Sequence, residues 1–172
     1  IISDPRDNSI LAMASSPRFD PNNFSEDYNN LKNDPSFPML HRAIASSYPP
    51  GSIFKIYEAL GILEGMKYSD KHSEFCPGFF SMAGAAHTWK CHKLTGHGQV
   101  NLVDAIRLSC DVFFYKMGLQ LGINGLYDTA VQFNRDRLTG IDLKGESIRP
   151  YPSLYTWRKD WYPGDTANAA IG

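Results

Sequence analysis

The feature of this sequence best suited to covalent chemistry is a serine followed three positions later by a lysine, Ser52 and Lys55. On an α-helix, residues i and i+3 share one face with Cβ atoms about 5–6 Å apart, so the amine reaches the hydroxyl. A serine hydroxyl is a weak nucleophile until a neighbouring base takes its proton. Burial favours the neutral, basic form of a lysine, and Ile53, Phe54 and Ile56 supply apolar surroundings. The spacing therefore predicts a nucleophile and its base.

The residues that precede this pair add to its significance. Pro50 and Gly51 place Ser52 at the start of the predicted helix, where unpaired amides and the helix dipole favour a developing negative charge. A Ser-x-x-Lys pair also occurs by chance on solvent-facing helices. The pair alone therefore does not identify an enzyme.

A second constellation contains all three cysteines of the chain and one histidine: Cys76, Cys91, His97 and Cys110. Thiolates and imidazole suit tetrahedral zinc, and four protein ligands make such a site closed and structural. An odd number of cysteines also differs from the even count of a domain stapled only by disulfides. The gaps between these residues match no compact zinc finger.

Two alternatives to this zinc site remain open at the level of sequence. An oxidising compartment would favour a disulfide between Cys76 and Cys91, with Cys110 as a buried free thiol. Other histidines are rival ligands, namely His87 and His92, whereas His41 and His72 are expected at the surface.

The elements that position these residues follow from apolar patterning. Residues 1–14 form two short strands around a polar turn, and residues 15–47 resemble an irregular surface segment. A helix with a broad apolar face begins near Ser52. Residues 65–100 resemble a loop region that holds most of the cysteines and histidines.

The second half of the chain is predicted to be mainly helical. Asn101 is a good N-cap for a helix that runs to Ser109. A third helix ends at Gly122, and a weaker fourth covers residues 126–133. The tail, residues 139–172, is rich in glycine, proline and aromatic residues and is predicted to be extended or looped.

Bulk composition excludes several classes of function. The chain has 172 residues, 42% of them hydrophobic and 20% charged, with a formal net charge of -1. Nothing resembles the basic surface that nucleic-acid binding requires, and no apolar run reaches the roughly 20 residues of a membrane span. The chain begins without Met, and we expect it to be one domain or part of a longer one.

Several motifs in order resemble the transpeptidase domain of class B penicillin-binding proteins. Residues 48–55, Tyr-Pro-Pro-Gly-Ser-Ile-Phe-Lys, resemble the nucleophile motif of that family. Four further stretches are similar in the same order: residues 40–43, 96–98, 139–143 and 161–166. Together they are most similar to penicillin-binding protein 2, and the resemblance covers essentially the whole chain.

The resemblance implies a fold and a set of site residues. The fold is the α/β (α+β) architecture shared with serine β-lactamases, an antiparallel sheet with a helical cluster, of which this chain is a fragment. Ser109-Cys110-Asp111 corresponds to the second motif, in which Ser109 relays protons and Asp111 helps hold Lys55. The third motif, Lys-Thr/Ser-Gly, does not occur in these residues. Loss of the oxyanion-hole amide on its strand costs about 10² to 10³ in rate, so these residues alone are expected to be inactive.

The resemblance also implies an activity and partners. The activity is peptidoglycan D,D-transpeptidation on D-Ala-D-Ala stem peptides, a step in cell elongation that β-lactams block by acylating Ser52. Implied partners are a membrane glycan polymerase and the rod-shape scaffold, at the periplasmic face of the inner membrane, with an anchoring helix outside this chain.

Some penicillin-binding protein 2 relatives bind zinc through Asp, His and Cys; Cys76 and Cys91 would replace two aspartates here. The alternatives are a serine β-lactamase and a non-catalytic, penicillin-sensing or zinc-stabilised domain.

Overall fold

The structure, a computed structural model, describes residues 1–69, 71–148, 150–154, 156 and 160–172. It contains two compact units, one formed by residues 1–48 and 138–148 and the other by residues 49–137 and 149–172. All eight candidate site residues lie in the second unit. Among the helices described, none combines the length and apolar character that crossing a bilayer requires.

The first unit begins with two short antiparallel strands, β1 (Ile2–Ser3) and β2 (Ile10–Ala12). Two helices follow, α1 (Phe24–Asn33) and α2 (Arg42–Ala45). Helix α1 lies where the sequence predicted irregular structure, and that prediction was wrong. Phe24, Tyr28 and Leu31 recur at helical spacing in α1, a signal that the surrounding Asn, Asp and Ser residues outweighed. None of the residues of α1 is buried.

The second unit is built around four helices: α3 (Phe54–Gly65), α4 (Leu102–Arg107), α5 (Asp111–Gln132) and α6 (Pro163–Ala170). Helix α5 packs against both α3 and α6. Burial of large apolar side chains is the main stabilising contribution to such packing. The largest apolar side chains that are fully buried are those of Phe54, Phe113, Phe114, Ile62, Met117 and Leu126.

Two helix boundaries show how local chemistry sets the fold. Gly122 has non-helical backbone angles (φ 75°, ψ 164°) and divides α5 in two, as expected for a glycine that can adopt positive φ. Helix α6 corrects the prediction of an extended tail. Pro163 occupies its first turn, where a missing N–H costs nothing, and the Asp165 carboxylate accepts a hydrogen bond of 2.9 Å from Tyr162 N. The eight residues of α6 were too few for a clear helical period.

The segment between α3 and α4 contains four short strands rather than only loops. Strand β3 (Glu74–Cys76) pairs with β6 (Gly98–Val100), and β4 (Phe79–Ser81) pairs with β5 (Thr88–Lys90). Both pairings are antiparallel. Each strand has three residues, too few to show alternation in the sequence.

Candidate active site

Ser52 lies in a single 3-10 turn, Gly51–Ile53, that leads directly into α3. Gly51 has a φ of 58°, a conformation that glycine adopts without the steric cost other residues incur. Gly51 N also donates a hydrogen bond of 2.9 Å to Gly172 O, just after α6. The turn that carries Ser52 is therefore held by α3 on its C-terminal side and by the hydrogen bond to Gly172 on its N-terminal side. Ser52 itself is exposed, so a substrate can reach its hydroxyl.

Lys55 lies in the first turn of α3 and is only 2% exposed. Its Nζ donates hydrogen bonds to Ser109 O at 2.9 Å, to Ser109 Oγ at 3.0 Å and to Asp111 Oδ1 at 2.5 Å. It also lies 5.7 Å from the centre of the Phe114 ring. A buried ammonium group is stable only when a counter-charge and hydrogen-bond acceptors replace water. Ser109 and Asp111 provide both.

Ser109 connects the amine to the nucleophile. Its Oγ donates a hydrogen bond of 3.0 Å to Ser52 Oγ while it accepts one from Lys55 Nζ. The sequence predicted that the amine reaches the Ser52 hydroxyl along the helix face; the hydrogen bonds run through Ser109. The backbone of Ser109 has a φ of 50°, and such strain persists only where surrounding contacts enforce it. One of these contacts is the 2.8 Å hydrogen bond from Cys110 N to Ala105 O.

Asp111 begins α5, where the positive end of the helix dipole favours a carboxylate. One of its oxygens holds Lys55, and the other accepts a hydrogen bond of 2.8 Å from the backbone N–H of His92. Asp111 thus joins the nucleophile helix to the segment after β5. Sequence reasoning missed the contribution of His92, because every non-proline residue carries a backbone amide and its direction leaves no sequence signal.

The four predicted metal ligands form a second cluster. The Sγ atoms of Cys76, Cys91 and Cys110 and a ring nitrogen of His97 all lie within 4.8 Å of one another. His97 Nδ1 is 3.6 Å from the sulfur of Cys76 and 3.5 Å from that of Cys91. Ligands bound at about 2.0–2.3 Å to tetrahedral zinc lie roughly 3.3–3.8 Å from one another. The residues present therefore fit a zinc ion.

Strand ends bring these ligands together. Cys76 is the last residue of β3, Cys91 follows β5, His97 precedes β6, and Cys110 is the N-cap of α5. Gly96 is required for this approach: its φ is 79°, and a Cβ there would lie 2.3 Å from Cys76 O. A larger residue at this position would push the His97 segment away from Cys76.

The protonation of the thiol cluster reflects its burial. All three cysteines are free and buried, so the disulfide alternative between Cys76 and Cys91 is not formed in the structure. Burial raises the pKa of Cys110 to about 12, and the neighbouring thiols contribute to the rise. Burial lowers the pKa of His97, with a smaller contribution from the charge of His92. Zinc ligation would require thiolates, and only a cation can compensate several of them at one place.

The rival histidines lie elsewhere. His92 belongs to a different group, with Cys91 and Asp111. The ring of His87 packs edge-on against Trp89, 4.6 Å between centres. His72, which was expected at the surface and not among the rival ligands, is partly exposed, and its Nε2 lies 3.0 Å from Glu74 Oε1.

Sequence reasoning also missed a buried carboxyl beside the site. Glu58 follows Lys55 by three residues in α3 and is 0% exposed. A signal was available, since a carboxylate at i+3 from Lys55 falls on the same buried face.

The chain resembles known proteins along its whole length. The family model for the penicillin binding protein transpeptidase domain matches residues 1–172. Peptidoglycan D,D-transpeptidase MrdA of Acinetobacter baumannii is 38% identical over 98% of this chain and 26% of that protein. MrdA of Escherichia coli K12 is 34% identical over 100% of this chain and 29% of that protein. This chain therefore spans between a quarter and a third of these two curated relatives.

Solved structures show the same architecture. Penicillin-binding protein 2 (PBP2) of Helicobacter pylori superimposes with a TM-score of 0.83 at 34% identity, covering 92% of this chain and 32% of that one. PBP2 of Pseudomonas aeruginosa gives a TM-score of 0.84 at 32% identity, covering 95% and 38%. The predicted fold class and the predicted similarity to penicillin-binding protein 2 are both confirmed. The chain belongs to the penicillin-binding protein transpeptidase family.

Proposed function

We propose that the protein containing this chain is a serine-type peptidoglycan D,D-transpeptidase. The observation that carries the proposal is the continuous hydrogen-bonded chain from Ser52 through Ser109 to Lys55, with Asp111 as counter-ion. This is a nucleophile, a relay and a base in contact, the arrangement that covalent acyl transfer requires. Membership of the transpeptidase family supports the same reaction.

The geometry supports a two-step reaction. The first step starts from the neutral form of Lys55 and not from its ion pair with Asp111, because an ammonium cannot accept a proton. Ser52 Oγ attacks the carbonyl carbon of the penultimate D-Ala, and its proton passes through Ser109 to the Lys55 amine. The peptide C–N bond then breaks, and the ammonium returns the proton to the departing D-Ala amine. In the second step, an acceptor amine attacks the acyl-Ser52 ester and gives up its proton by the same route. The ester C–O bond breaks, and the proton returns to Ser52.

Reaction with penicillin tests this proposal. The full-length protein should form a covalent penicilloyl adduct of one molecule per chain by mass spectrometry, and Ser52→Ala should form none. Persistence of the adduct separates the candidate functions: a transpeptidase keeps the ester for a long time, whereas a serine β-lactamase hydrolyses it quickly. A folded protein that forms no adduct would support a non-catalytic domain and contradict the proposal.

Substrate, partners and location are proposed for the whole protein. The substrate is the D-Ala-D-Ala end of a peptidoglycan stem peptide, and the partners are a membrane glycan polymerase and a rod-shape scaffold protein. Two solved relatives support these partners: a complex between PBP2 and MreC from Helicobacter pylori, 34% identical, and a peptidoglycan synthase complex described as coordinating polymerization and crosslinking, 29% identical. The proposed location is the periplasmic face of the inner membrane.

We also propose a structural zinc ion held by Cys76, Cys91, His97 and Cys110. The fit of the ligand separations and the three free, buried thiols support it. Bound zinc would supply positive charge that compensates thiolates and would join three strand ends to the N-terminus of α5. Metal analysis of untagged full-length protein should find one zinc per chain, and Cys76→Ser should lower both the zinc content and the acylation rate. Protein without zinc that is still acylated at the full rate would contradict this proposal.

A further inference from the structure

A buried carboxyl lies directly behind the hydrogen-bonded chain of the active site. Glu58 is 0% exposed and shares a face of α3 with Lys55, one helical turn away. Its carboxyl occupies a space between α3, α5 and α6. A Cβ added to Gly118 of α5 would lie 2.8 Å from Glu58 Oε1 and 2.5 Å from the Cβ of Ala170 in α6. Glycine at position 118 therefore makes room for this carboxyl.

The carboxyl of Glu58 lacks compensation. Neither of its oxygens has a hydrogen-bond partner among the residues that the structure describes. A carboxylate removed from water without donors is strongly disfavoured, so the group takes up a proton instead. Burial accordingly raises the pKa of Glu58 well above its usual range, and the charge of Lys55 opposes this only in part. Burial without hydrogen-bond donors thus favours the protonated, uncharged form of Glu58.

Few charged groups face this carboxyl. Gly118 and Ala170, which meet it from α5 and α6, are uncharged. In the described part of the chain, the titratable groups within electrostatic reach are Lys55 on the same helix and Tyr151 on the segment before α6. Burial raises the pKa of Tyr151, with the charge of Glu58 as a lesser cause, so the phenol stays neutral. Among the residues that the structure describes, Lys55 is thus the charged group on which Glu58 acts.

We propose that Glu58 is a positioning residue for acylation: as an uncharged acid it allows the Lys55 amine to release its proton, and when ionised it holds that proton in place. The inference rests on the proposed function, in which Lys55 takes the proton of Ser52. Asp111 already places one negative charge beside Lys55. A second at Glu58 would favour the ammonium form, which cannot act as a base. Ionisation of Glu58 would therefore oppose the loss of the Lys55 proton on which acylation depends.

The pH dependence of acylation tests this role. The acylation rate by fluorescent penicillin would be measured from pH 7 to pH 10 for the full-length wild-type protein, Glu58→Gln and Glu64→Gln. Glu64 is a matched control, since it is an exposed glutamate on the same helix. The rate of Glu58→Gln relative to wild type should rise about tenfold across this range, because charges one helical turn apart interact strongly in a protein interior. Glu64→Gln should follow wild type.

Two results would overturn the inference. One is a Glu58→Gln profile that coincides with that of wild type from pH 7 to pH 10. The other is loss of acylation at every pH in a Glu58→Gln protein that still unfolds cooperatively, because the neutral isostere should replace a neutral acid.

Infrared spectroscopy provides a readout independent of Ser52. At pH 7 the wild-type protein should show a protonated-carboxyl band that is lost in Glu58→Gln and retained in Glu64→Gln. If the band is unchanged by Glu58→Gln, Glu58 is ionised and the inference fails. If no variant reacts with penicillin, the proposed function fails instead, while the band still reports the charge of Glu58.

Discussion

The second unit contains two clusters, the nucleophile cluster around Lys55 and the thiol cluster around Cys110, and the segment 109–111 contributes to both. Different interactions hold each cluster together. On one side of Cys110, Ser109 and Asp111 surround Lys55 with charge-assisted hydrogen bonds as short as 2.5 Å. On the other side, Cys110 meets its neighbours through sulfur contacts, and the closest separations around His97 are 3.5 and 3.6 Å. The nucleophile cluster contains its own counter-ion, Asp111. The thiol cluster brings together three sulfur atoms and one ring nitrogen, all of which are potential metal ligands.

This difference shows which interactions each cluster needs. A buried ion pair with satisfied hydrogen bonds is stable as it stands, but it is costly to break from one side. A cluster of buried thiols and imidazole gains its stability only when a cation is bound. The nucleophile cluster should therefore be sensitive to loss of a single partner, and the thiol cluster to loss of metal.

The largest expected effect follows from removal of the amine. Lys55→Met should lower the penicillin acylation rate at least about 10³-fold, because a positioned general base contributes about 10² to 10⁴. It should also lower the free energy of unfolding by about 3–5 kcal/mol, because Asp111, which is largely removed from water, loses its charged partner. Acylation kinetics and chemical denaturation of the full-length protein measure the two effects.

A double variant separates the two roles of the pair. Lys55→Met combined with Asp111→Asn removes both charges, so most of the lost stability should return while acylation stays absent. If the double variant is less stable than Lys55→Met, the pair does not act as a compensated unit.

Loss of the relay should have the next largest effect. Ser109→Ala removes the hydroxyl that joins Lys55 Nζ to Ser52 Oγ, and we expect the acylation rate to fall about 10²-fold. The fold should persist, because Lys55 keeps its bonds to Asp111 and to the carbonyl of residue 109. Full acylation by Ser109→Ala would show that the proton moves directly from Ser52 to Lys55.

The thiol cluster can be tested with a matched pair of histidines. His97→Gln should lower zinc affinity about tenfold or more and lower acylation, because Cys110 adjoins both Ser109 and Asp111. His87→Gln, outside the cluster and packed against Trp89, should change neither. Metal analysis after dialysis and acylation kinetics provide the measurements, and equal behaviour of the two variants would contradict the ligand assignment.

Stability should depend on pH through Glu58. Its pKa is raised in the folded protein, so the folded state holds the proton more tightly than the unfolded state. Between the ordinary and the raised pKa, this group lowers the free energy of unfolding by about 1.4 kcal/mol per pH unit as pH rises. Glu58→Gln should remove that slope, which denaturation from pH 4.5 upwards would measure. Equal slopes in wild type and variant would mean that Glu58 is ionised in the folded protein.

The smallest expected effect concerns the cap of α4. The Asn101 side chain accepts a hydrogen bond of 2.8 Å from Asp104 N, and Asn101→Ala should cost about 1 kcal/mol. Acylation of the folded protein should be unchanged. A larger loss would indicate that the start of α4 also positions the Ser109 segment.

Sequence reasoning was strongest where the chemistry lies in residue types and spacing. Ser52 and Lys55 share a helix, the cap at Asn101 is formed, and Gly122 interrupts α5. It failed for α1, which buries nothing, and for α6, which has only eight residues. In α1 the apolar residues Phe24, Tyr28 and Leu31 recur at helical spacing but stand among many polar residues, and in α6 the helix is too short for a clear period.

Contacts that depend on the tertiary structure could not be predicted from the sequence. The hydrogen bond from His92 N to Asp111 depends on where β5 ends, and backbone amides are present at every non-proline position. The sequence also could not predict how completely the Glu58 carboxyl is buried, since its surroundings include Gly118 and Ala170 from two other helices. Sequence spacing identified the reactive pair Ser52 and Lys55, whereas the tertiary packing determines the environment of the charged groups around that pair.

The left-handed backbone of Ser109 has a consequence for selection and protein engineering. Glycine would adopt its φ of 50° without strain, yet glycine has no hydroxyl to place between Lys55 and Ser52. A screen for heat resistance alone should therefore enrich Ser109→Gly and yield protein that is more stable but is not acylated by penicillin. A screen for penicillin binding should retain serine. At this position the hydroxyl that joins Lys55 to Ser52 stands on a backbone conformation that glycine would adopt at lower cost.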